Sequence, residues 1–131
     1  MDGSPFGYNV HANGIRHHLV RHGAPGRRQM LLVPGITSPA VTWDFVAARL
    51  AETVFERSEH DRSTRGRAAM VRARVAEAGE HWDVAADWYD RVPDGVADET
   101  TARASAGSLY ADRLDRLGDA IERFTVVHRL D

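Results

Sequence analysis

The chain has 131 residues; 17 are basic, all of them arginine, and 19 are acidic, which gives a formal net charge of −2. That length suits one domain or two very small units. Because there is no cysteine and no lysine, disulfides, thiolate metal sites, a cysteine nucleophile and Schiff-base chemistry are all excluded. The near-neutral charge argues against nucleic acid as a partner, and no apolar run is long enough to cross a membrane. The first residues lack the pattern of a secretory signal, so we expect a cytoplasmic protein.

Short apolar runs separated by glycine and proline make up the first part of the chain. The runs Tyr8–Ala12 and Ile15–His22 flank Asn13-Gly14, a pair typical of a type I′ turn, in which both central residues have positive φ. This spacing predicts a β-hairpin. Met30–Val33 is a continuous apolar run that ends at Pro34-Gly35, which predicts a short strand buried on both faces.

Thr42–Phe55 predicts a helix, with apolar residues near one face. The residues near that face are Phe45, Val46, Arg49, Leu50 and Val54. The polar stretch Glu56–Arg67 has no apolar residue except glycine, so it is either a linker or the start of a poorly buried helix.

The second part of the chain is rich in alanine, arginine and acidic residues at helical spacing. It predicts four helices, separated by glycine and proline: Ala68–Gly79, Trp82–Val92, Asp98–Asp112 and Leu117–Leu130. At an offset of 35 residues, Ala85 matches Ala120 and Tyr89 matches Phe124. A small residue followed by an aromatic one lets two helices approach and then fills the gap, so a repeat of two helices is indicated.

The N-terminal segment, about residues 8–52, resembles α/β-hydrolases, in particular the N-formylmaleamate deformylase-like members. The matching residues are Asn13–Arg16, Leu31–Pro39 and Trp43 with the helix up to Leu50. The resemblance implies that the backbone N–H of Ile36, after Gly35, would donate to the oxyanion of an acyl-transfer intermediate. Without the resemblance, Pro34-Gly35 would be only a tight turn before a helix.

The sequence contains no clear nucleophile elbow, the Gly-x-Ser-x-Gly motif that such hydrolases place between a strand and a helix. The nearest string is Arg103–Gly107, which contains Ser105, but it lies in a predicted helix and begins with a bulky arginine. His128 lies near the C-terminus, the region in which a triad histidine is sought, but it also falls in a predicted helix. Ser105 and His128 are therefore weak catalytic candidates.

Residues 65–131 resemble tetratricopeptide repeats. Ala78-Gly79 with Trp82, Ala85 and Tyr89 is similar to the turn and second helix of one unit, and Leu117 with Phe124 is similar to the same part of a second unit. Gly107 and Tyr110 approximate the small and aromatic positions of a first helix. Such repeats leave their end faces uncovered, so we expect the helix at Thr42–Phe55 or another chain to pack against them.

Three further groups of residues have both a functional and a structural interpretation. Four clustered histidines could hold a metal ion: His11, His17, His18 and His22. However, the spacing of an extended strand keeps His18 and His22 too far apart to bind one ion. Exposed histidines without a metal are the simpler explanation. The aromatic residues of the predicted helix Trp82–Val92 could bind a ligand, but they suit repeat packing better: Trp82, Trp88 and Tyr89.

The third group is an acidic stripe that could bind a cation or a basic peptide or face solvent: Asp83, Asp87, Asp90 and Asp94. Farther along the chain, Arg113 and Arg116 could pair with Asp112, Asp115 or Asp119. No metal or cofactor is expected.

These observations predict a mixed, mostly α fold: a short β-hairpin plus strand and helix, an incomplete α/β-hydrolase-like start, followed by two helix-hairpin repeats. The expected divisions are 1–55 for the truncated hydrolase-like segment, 56–67 for the polar linker and 68–131 for the repeats. We expect a non-catalytic module that binds a protein or peptide, or a second copy of itself through the Met30–Val33 edge or the repeat faces. The alternatives are a fragment or subunit of an amide or ester hydrolase, or a junction of two gene segments with no selected activity.

Overall fold

The computed structural model describes residues 6–22, 26, 28, 30, 31, 33 and 43–130. Within these ranges, a two-stranded sheet precedes a run of helices. The strands are β1 (Phe6–Ala12) and β2 (Ile15–Arg21); the helices are α1 (Asp44–Arg57), α2 (Arg62–Ala78), α3 (Trp82–Asp90), α4 (Glu99–Asp112) and α5 (Leu117–Leu130). A mixed, mostly α fold is thereby confirmed, and all four helices predicted in the second part of the chain are present.

The N-terminal hairpin has the predicted turn. Asn13 has a φ of 52° and Gly14 a φ of 75°, and the flanking residues Ala12 and Ile15 are paired across the two antiparallel strands. Both central residues of a type I′ turn need positive φ, which is why an Asn-Gly pair fits here. The hairpin buries little of its own surface, since Ile15 is 60% exposed and Val10 is 40% exposed.

The strand predicted at Met30–Val33 is wrong for the residues of this run that the structure describes. Met30, Leu31 and Val33 belong to no strand and are 74%, 75% and 72% exposed. A strand buried on both faces needs neighbouring strands and a layer of helices on each side. In the described part of the chain the sheet contains only β1 and β2, so nothing is present to pair with this run or to cover it.

Helix α1 begins within two residues of its predicted start, but its predicted apolar face is not the face that packs. Phe45, Leu50 and Val54 are 69%, 48% and 42% exposed, whereas Ala51 and Phe55 are buried. The helix has apolar residues on more than one side, so periodicity alone does not select the buried side. Phe55, near the end of the helix, belongs to the core that α1 shares with the following helices.

The polar stretch after α1 contains a turn at 58–60 and the start of α2. Asp61 caps α2: its carboxylate accepts hydrogen bonds from the Thr64 backbone N–H at 3.0 Å and from the Thr64 hydroxyl at 2.6 Å. An N-cap of this kind satisfies a backbone donor that has no partner inside the helix. The first turns of α2 therefore come from the polar stretch, with α1 folded back against them.

Successive helices pack against one another from α1 to α5, and alanine dominates the shared core. Tyr89, Met70 and Val92 are its largest fully buried side chains. Alanine at the contacts lets helix axes approach closely, and these larger residues fill the spaces between them. Ala85 and Tyr89 of α3 are both fully buried, as the spacing of small and aromatic residues predicted.

The matching residues of α5, Ala120 and Phe124, are buried to different degrees. Ala120 is 2% exposed, but Phe124 is 43% exposed. The Phe124 ring lies against Gly107 of α4, where an added Cβ would come within 2.9 Å of two ring carbons. Gly107 is therefore the small residue that gives Phe124 its place between α4 and α5.

Candidate functional site

An open groove of about 630 Å³ lies between α2, α3 and α4. Its walls come from the C-terminal half of α2, the first residue of α3 and the C-terminal end of α4. The lining residues are Arg74, Glu77, Ala78, Trp82, Ser108, Leu109, Asp112 and Arg113. One apolar surface, formed around Trp82 and Leu109, is thus bordered by two arginines and two carboxylates, a combination suited to a ligand with both apolar and charged groups.

Arg113 stacks on Trp82 at one side of this groove. The guanidinium carbon lies 4.7 Å from the centroid of the indole ring. A stacked guanidinium is attracted to the ring face while its N–H groups point outward in the plane of the group, where they can donate to a carboxylate. The sequence offered Arg113 a carboxylate partner as one possibility; in the structure the guanidinium lies over Trp82.

Asp112 supplies a carboxylate next to Arg113 in the sequence. It is exposed, and its carboxylate makes no hydrogen bond or ion pair with the described residues. Its neighbour Arg116 instead pairs with Asp119 at 2.8 Å, as the sequence predicted. Asp112 can therefore accept from a ligand without first giving up a contact within the protein.

Behind the groove, Glu77 is held by a buried tyrosine. The Tyr89 hydroxyl donates to Glu77 Oε2 at 2.6 Å, and Tyr89 itself is fully buried. Burial raises the pKa of Tyr89 well above its ordinary value, and the hydrogen bond to Glu77 raises it further. The hydroxyl therefore stays protonated and fixes one Glu77 oxygen. No periodic pattern in the sequence signals this contact.

Arg103 is a buried arginine that closes the end of α3. Its guanidinium donates to the backbone carbonyl of Tyr89 at 3.2 Å, to that of Val92 at 2.9 Å, and to Asp94 Oδ1 at 2.9 Å. A cation at a helix C-terminus satisfies carbonyls that have no partner inside the helix. The hydrogen bond from Arg103 also lowers the pKa of Asp94. This role was missed from the sequence, where Arg103 was noted only as the bulky first residue of the elbow-like string Arg103–Gly107.

Asp90 joins the last three helices. It accepts two hydrogen bonds from the Arg123 guanidinium, at 2.9 and 2.8 Å, and one from the Tyr110 hydroxyl at 2.8 Å. The bond to Asp90 raises the pKa of Arg123, and burial followed by the bond to Asp90 raises the pKa of Tyr110 to about 12. The planar Arg123 group suits this two-pronged contact.

The acidic stripe of α3 is accordingly divided among different partners. Asp87 pairs with Arg91 at 2.7 Å on the surface, Asp90 and Asp94 are held by arginines, and Asp83 is exposed. Within the residues that the structure describes, no group of histidine and acidic side chains is arranged to hold a metal ion. The four histidines of the hairpin region are thus not assembled into such a group there.

The two catalytic candidates, Ser105 and His128, lie on different helices and in different surroundings. Ser105 lies in the middle of α4 beside Tyr89, and His128 is exposed in the last turn of α5. The structure has no hydrogen bond between these two described residues. Gly35 and Ile36, the candidates for the oxyanion loop, lie outside the described residues.

Comparison with known proteins gives one short match. A stretch of 44 residues in the N-terminal region is 64% identical to N-formylmaleamate deformylase of Pseudomonas putida (strain KT2440). The match covers 34% of this chain and 16% of the deformylase, so the chain spans only a small part of that protein. No protein-family profile and no solved structure matches the chain. None of the helices in the described part is both long and apolar enough to span a membrane.

Proposed function

We propose that the chain is a non-catalytic interaction module and that the groove between α2, α3 and α4 binds a short peptide segment. The observation that carries this proposal is the pairing of Trp82 with Arg113 beside the unpaired Asp112. An occupant that fits would place an apolar side chain against Trp82 and Leu109. It would also offer a carboxylate to Arg113 and a basic group to Asp112.

The resemblance to tetratricopeptide repeats belongs to this proposal. Two observations support it: Ala85 and Tyr89 are both buried, and the Phe124 ring lies against Gly107. In helical repeats of this kind, stacked units present an extended concave surface to a partner. The groove lined by α2 and α4 would be that surface.

The test is selection of a random peptide library on the full chain, followed by titration of the enriched peptides. We expect binding that is weakened at least about tenfold by Arg113→Glu and by Asp112→Lys, since each reverses a charge that the peptide contacts. Arg57→Glu is the matched control, because Arg57 is exposed at the other end of the stack and outside the groove.

Either of two results would refute the peptide-binding proposal. One is that no peptide is enriched over a blank surface. The other is that the enriched peptides bind the two groove variants as well as they bind the Arg57→Glu control. Circular dichroism of each variant shows whether the helices remain folded, so that loss of the groove is not confused with loss of the fold.

A second candidate function is a part of an amide or ester hydrolase, and the 64% identity over 44 residues to a deformylase favours it. Acyl transfer through serine needs an exposed hydroxyl, a histidine base within hydrogen-bond reach and donors for the oxyanion. The mid-helix position of Ser105 and the exposed position of His128 argue against them as that pair.

Turnover of an activated ester by the pure chain discriminates between the two functions. We expect no turnover above buffer. If the chain turns over ester and either Ser105→Ala or His128→Ala abolishes it, the hydrolase proposal replaces the interaction module.

A further inference from the structure

The tip of the N-terminal hairpin places an asparagine side chain directly before the nitrogen of a glycine. Asn13 and Gly14 are both exposed, with φ values of 52° and 75°. Among the described residues, neither the Asn13 side chain nor the Gly14 backbone N–H has a hydrogen-bond partner. An added Cβ at Gly14 would meet nothing within 4 Å, so the space beside this residue is open. The Asn13 amide carbon and the Gly14 nitrogen are therefore both accessible to solvent.

The strands behind this turn hold it only weakly. In the described part of the chain, β1 and β2 pair only with each other, and Val10 and Ile15 are 40% and 60% exposed. A two-stranded hairpin with so little buried surface is marginally stable by itself. Opening of its tip therefore costs little free energy, and it releases Asn13 from the left-handed conformation that the turn requires.

We propose that Asn13 is a site of spontaneous deamidation, a covalent modification whose only co-reactant is water. The Gly14 nitrogen loses its proton to solvent base and attacks the side-chain carbon Cγ of Asn13. The new N–Cγ bond closes a five-membered succinimide ring, and the Cγ–Nδ2 bond breaks with release of ammonia. Glycine favours this step because it has no side chain to block the nitrogen. This site lies outside the peptide groove and does not depend on it.

Water then opens the succinimide in one of two directions. Addition at Cγ gives aspartate and leaves the main chain unchanged. Addition at the backbone carbonyl carbon gives isoaspartate, in which the main chain runs through Cβ and Cγ and is one atom longer. Either product adds one negative charge to the formal net charge of −2. The longer main chain of isoaspartate does not fit a two-residue type I′ turn, so the pairing of Ala12 with Ile15 is lost.

A second pair of this kind, Asp94-Gly95, shows how the fold can block the same chemistry. Aspartate before glycine isomerises through the same succinimide, with loss of water in place of ammonia. Here, however, the Gly95 N–H donates to the buried Glu99 carboxylate at 2.6 Å, and Asp94 Oδ1 accepts from Arg103 at 2.9 Å. Both reacting groups are held, so we expect Asp94 to react only when the chain unfolds.

The first experiment incubates the purified full chain in neutral and in mildly alkaline buffer and follows its peptides by mass spectrometry. We expect the Asn13 peptide to gain the mass difference between an amide and a carboxylic acid, faster in the alkaline buffer. Asn9 is the internal control, because it is also exposed in the hairpin but precedes Val10. The β-branched Val10 crowds the nitrogen after Asn9, so Asn13 should convert at least about tenfold faster.

The second experiment measures how far the fold limits the reaction. Asn13 in the native chain should convert within about tenfold of its rate in urea, because opening the hairpin tip costs little, whereas Asp94 should isomerise only in urea. Asn13→Gly removes the amide and keeps a residue that suits the type I′ turn. Nuclear Overhauser contacts between Ala12 and Ile15 should fade as the parent chain is incubated and persist in Asn13→Gly.

Three results would overturn the inference. One is an Asn13 side chain that stays an amide in the native chain while it converts in urea, which would show that the turn protects it. Another is conversion of Asn9 at the same rate as Asn13. The third is loss of the Ala12–Ile15 contacts in Asn13→Gly as fast as in the parent chain, which would show that deamidation does not cause the loss.

Discussion

The Phe55 ring meets the Trp88 ring edge-to-face, with centroids 5.2 Å apart and ring planes at 85°. The contact joins α1 to α3, and arginines cover both rings: Arg65 lies 4.1 Å from the centroid of Phe55 and Arg91 lies 4.4 Å from that of Trp88. Arg72 of α2 also binds Glu52 of α1 at 2.7 Å. The segment that resembles hydrolases extends to about residue 52 and so includes most of α1. Part of that segment therefore packs within the helical stack.

Removing the Phe55 ring should loosen α1. Phe55→Ala should lower the free energy of unfolding by about 3 kcal/mol, because it removes a large buried side chain and one half of an aromatic pair. Phe55→Leu keeps most of the volume and should cost about 1 kcal/mol. Urea unfolding followed by the tryptophan signal measures both. A Phe55→Ala variant as stable as the parent chain would show that the contact does not hold α1 in place.

Gly107 and Phe124 should be energetically coupled. Gly107→Ala should destabilise the chain by about 1 kcal/mol, because its Cβ displaces the Phe124 ring. In a Phe124→Ala background the same change should instead stabilise by up to about 1 kcal/mol, since alanine is the better helix former. A double-mutant cycle by thermal unfolding measures this reversal. Equal effects of Gly107→Ala in the two backgrounds would contradict it.

Glu80 should be replaceable by glycine with a gain in stability. It follows α2 with a φ of 59°, and the next residue, His81, donates its backbone N–H to the Ala76 carbonyl at 2.9 Å. This is the geometry of a Schellman cap, in which glycine has no Cβ penalty. Glu80→Gly should be about 1 kcal/mol more stable than Glu80→Ala, which also lacks the carboxylate. Equal unfolding free energies for the two variants would show that the positive φ at this position carries no Cβ penalty.

Within the described residues, the sequence predicted the helices α2 to α5 best. Alanine and aromatic spacing marks these helices, and glycine or proline marks their ends. The buried face of α1 was not predicted, because exposed Phe45 and buried Phe55 are equally apolar in the sequence. Met30–Val33 was misassigned because an apolar run gives no information on whether neighbouring strands exist. Contacts such as that of Arg103 with the end of α3 depend on how helices pack, which local sequence does not reveal.

Alkaline pH should destabilise the chain partly through Tyr110. Burial and the hydrogen bond to Asp90 raise its pKa to about 12, whereas an unfolded tyrosine titrates near about 10. A pKa that is raised by folding stabilises the fold fully below the unfolded value, and this contribution is lost as the pH rises from about 10 to about 12. Tyr110→Phe should be less stable at about pH 8 but should lose less stability between about pH 8 and about pH 11.

The measurement for Tyr110 is the urea midpoint at these two pH values, with Tyr8→Phe as the control because Tyr8 lies in the hairpin. Tyr89 also has a raised pKa, so some slope should remain in the Tyr110→Phe variant. An identical pH slope in Tyr110→Phe and the parent chain would contradict the role of Tyr110.

The central structural claim is that α1 belongs to the same cooperative unit as α2 to α4, although the N-terminal region that leads into it matches part of a deformylase. Amide hydrogen exchange of the full chain, read by mass spectrometry, tests this most directly. We expect the amides of 51–57 in α1 to be protected to the same degree as those of α2 and α3, because the Phe55 and Glu52 contacts tie them together. Rapid exchange throughout α1 while α2 to α4 remain protected would contradict the claim.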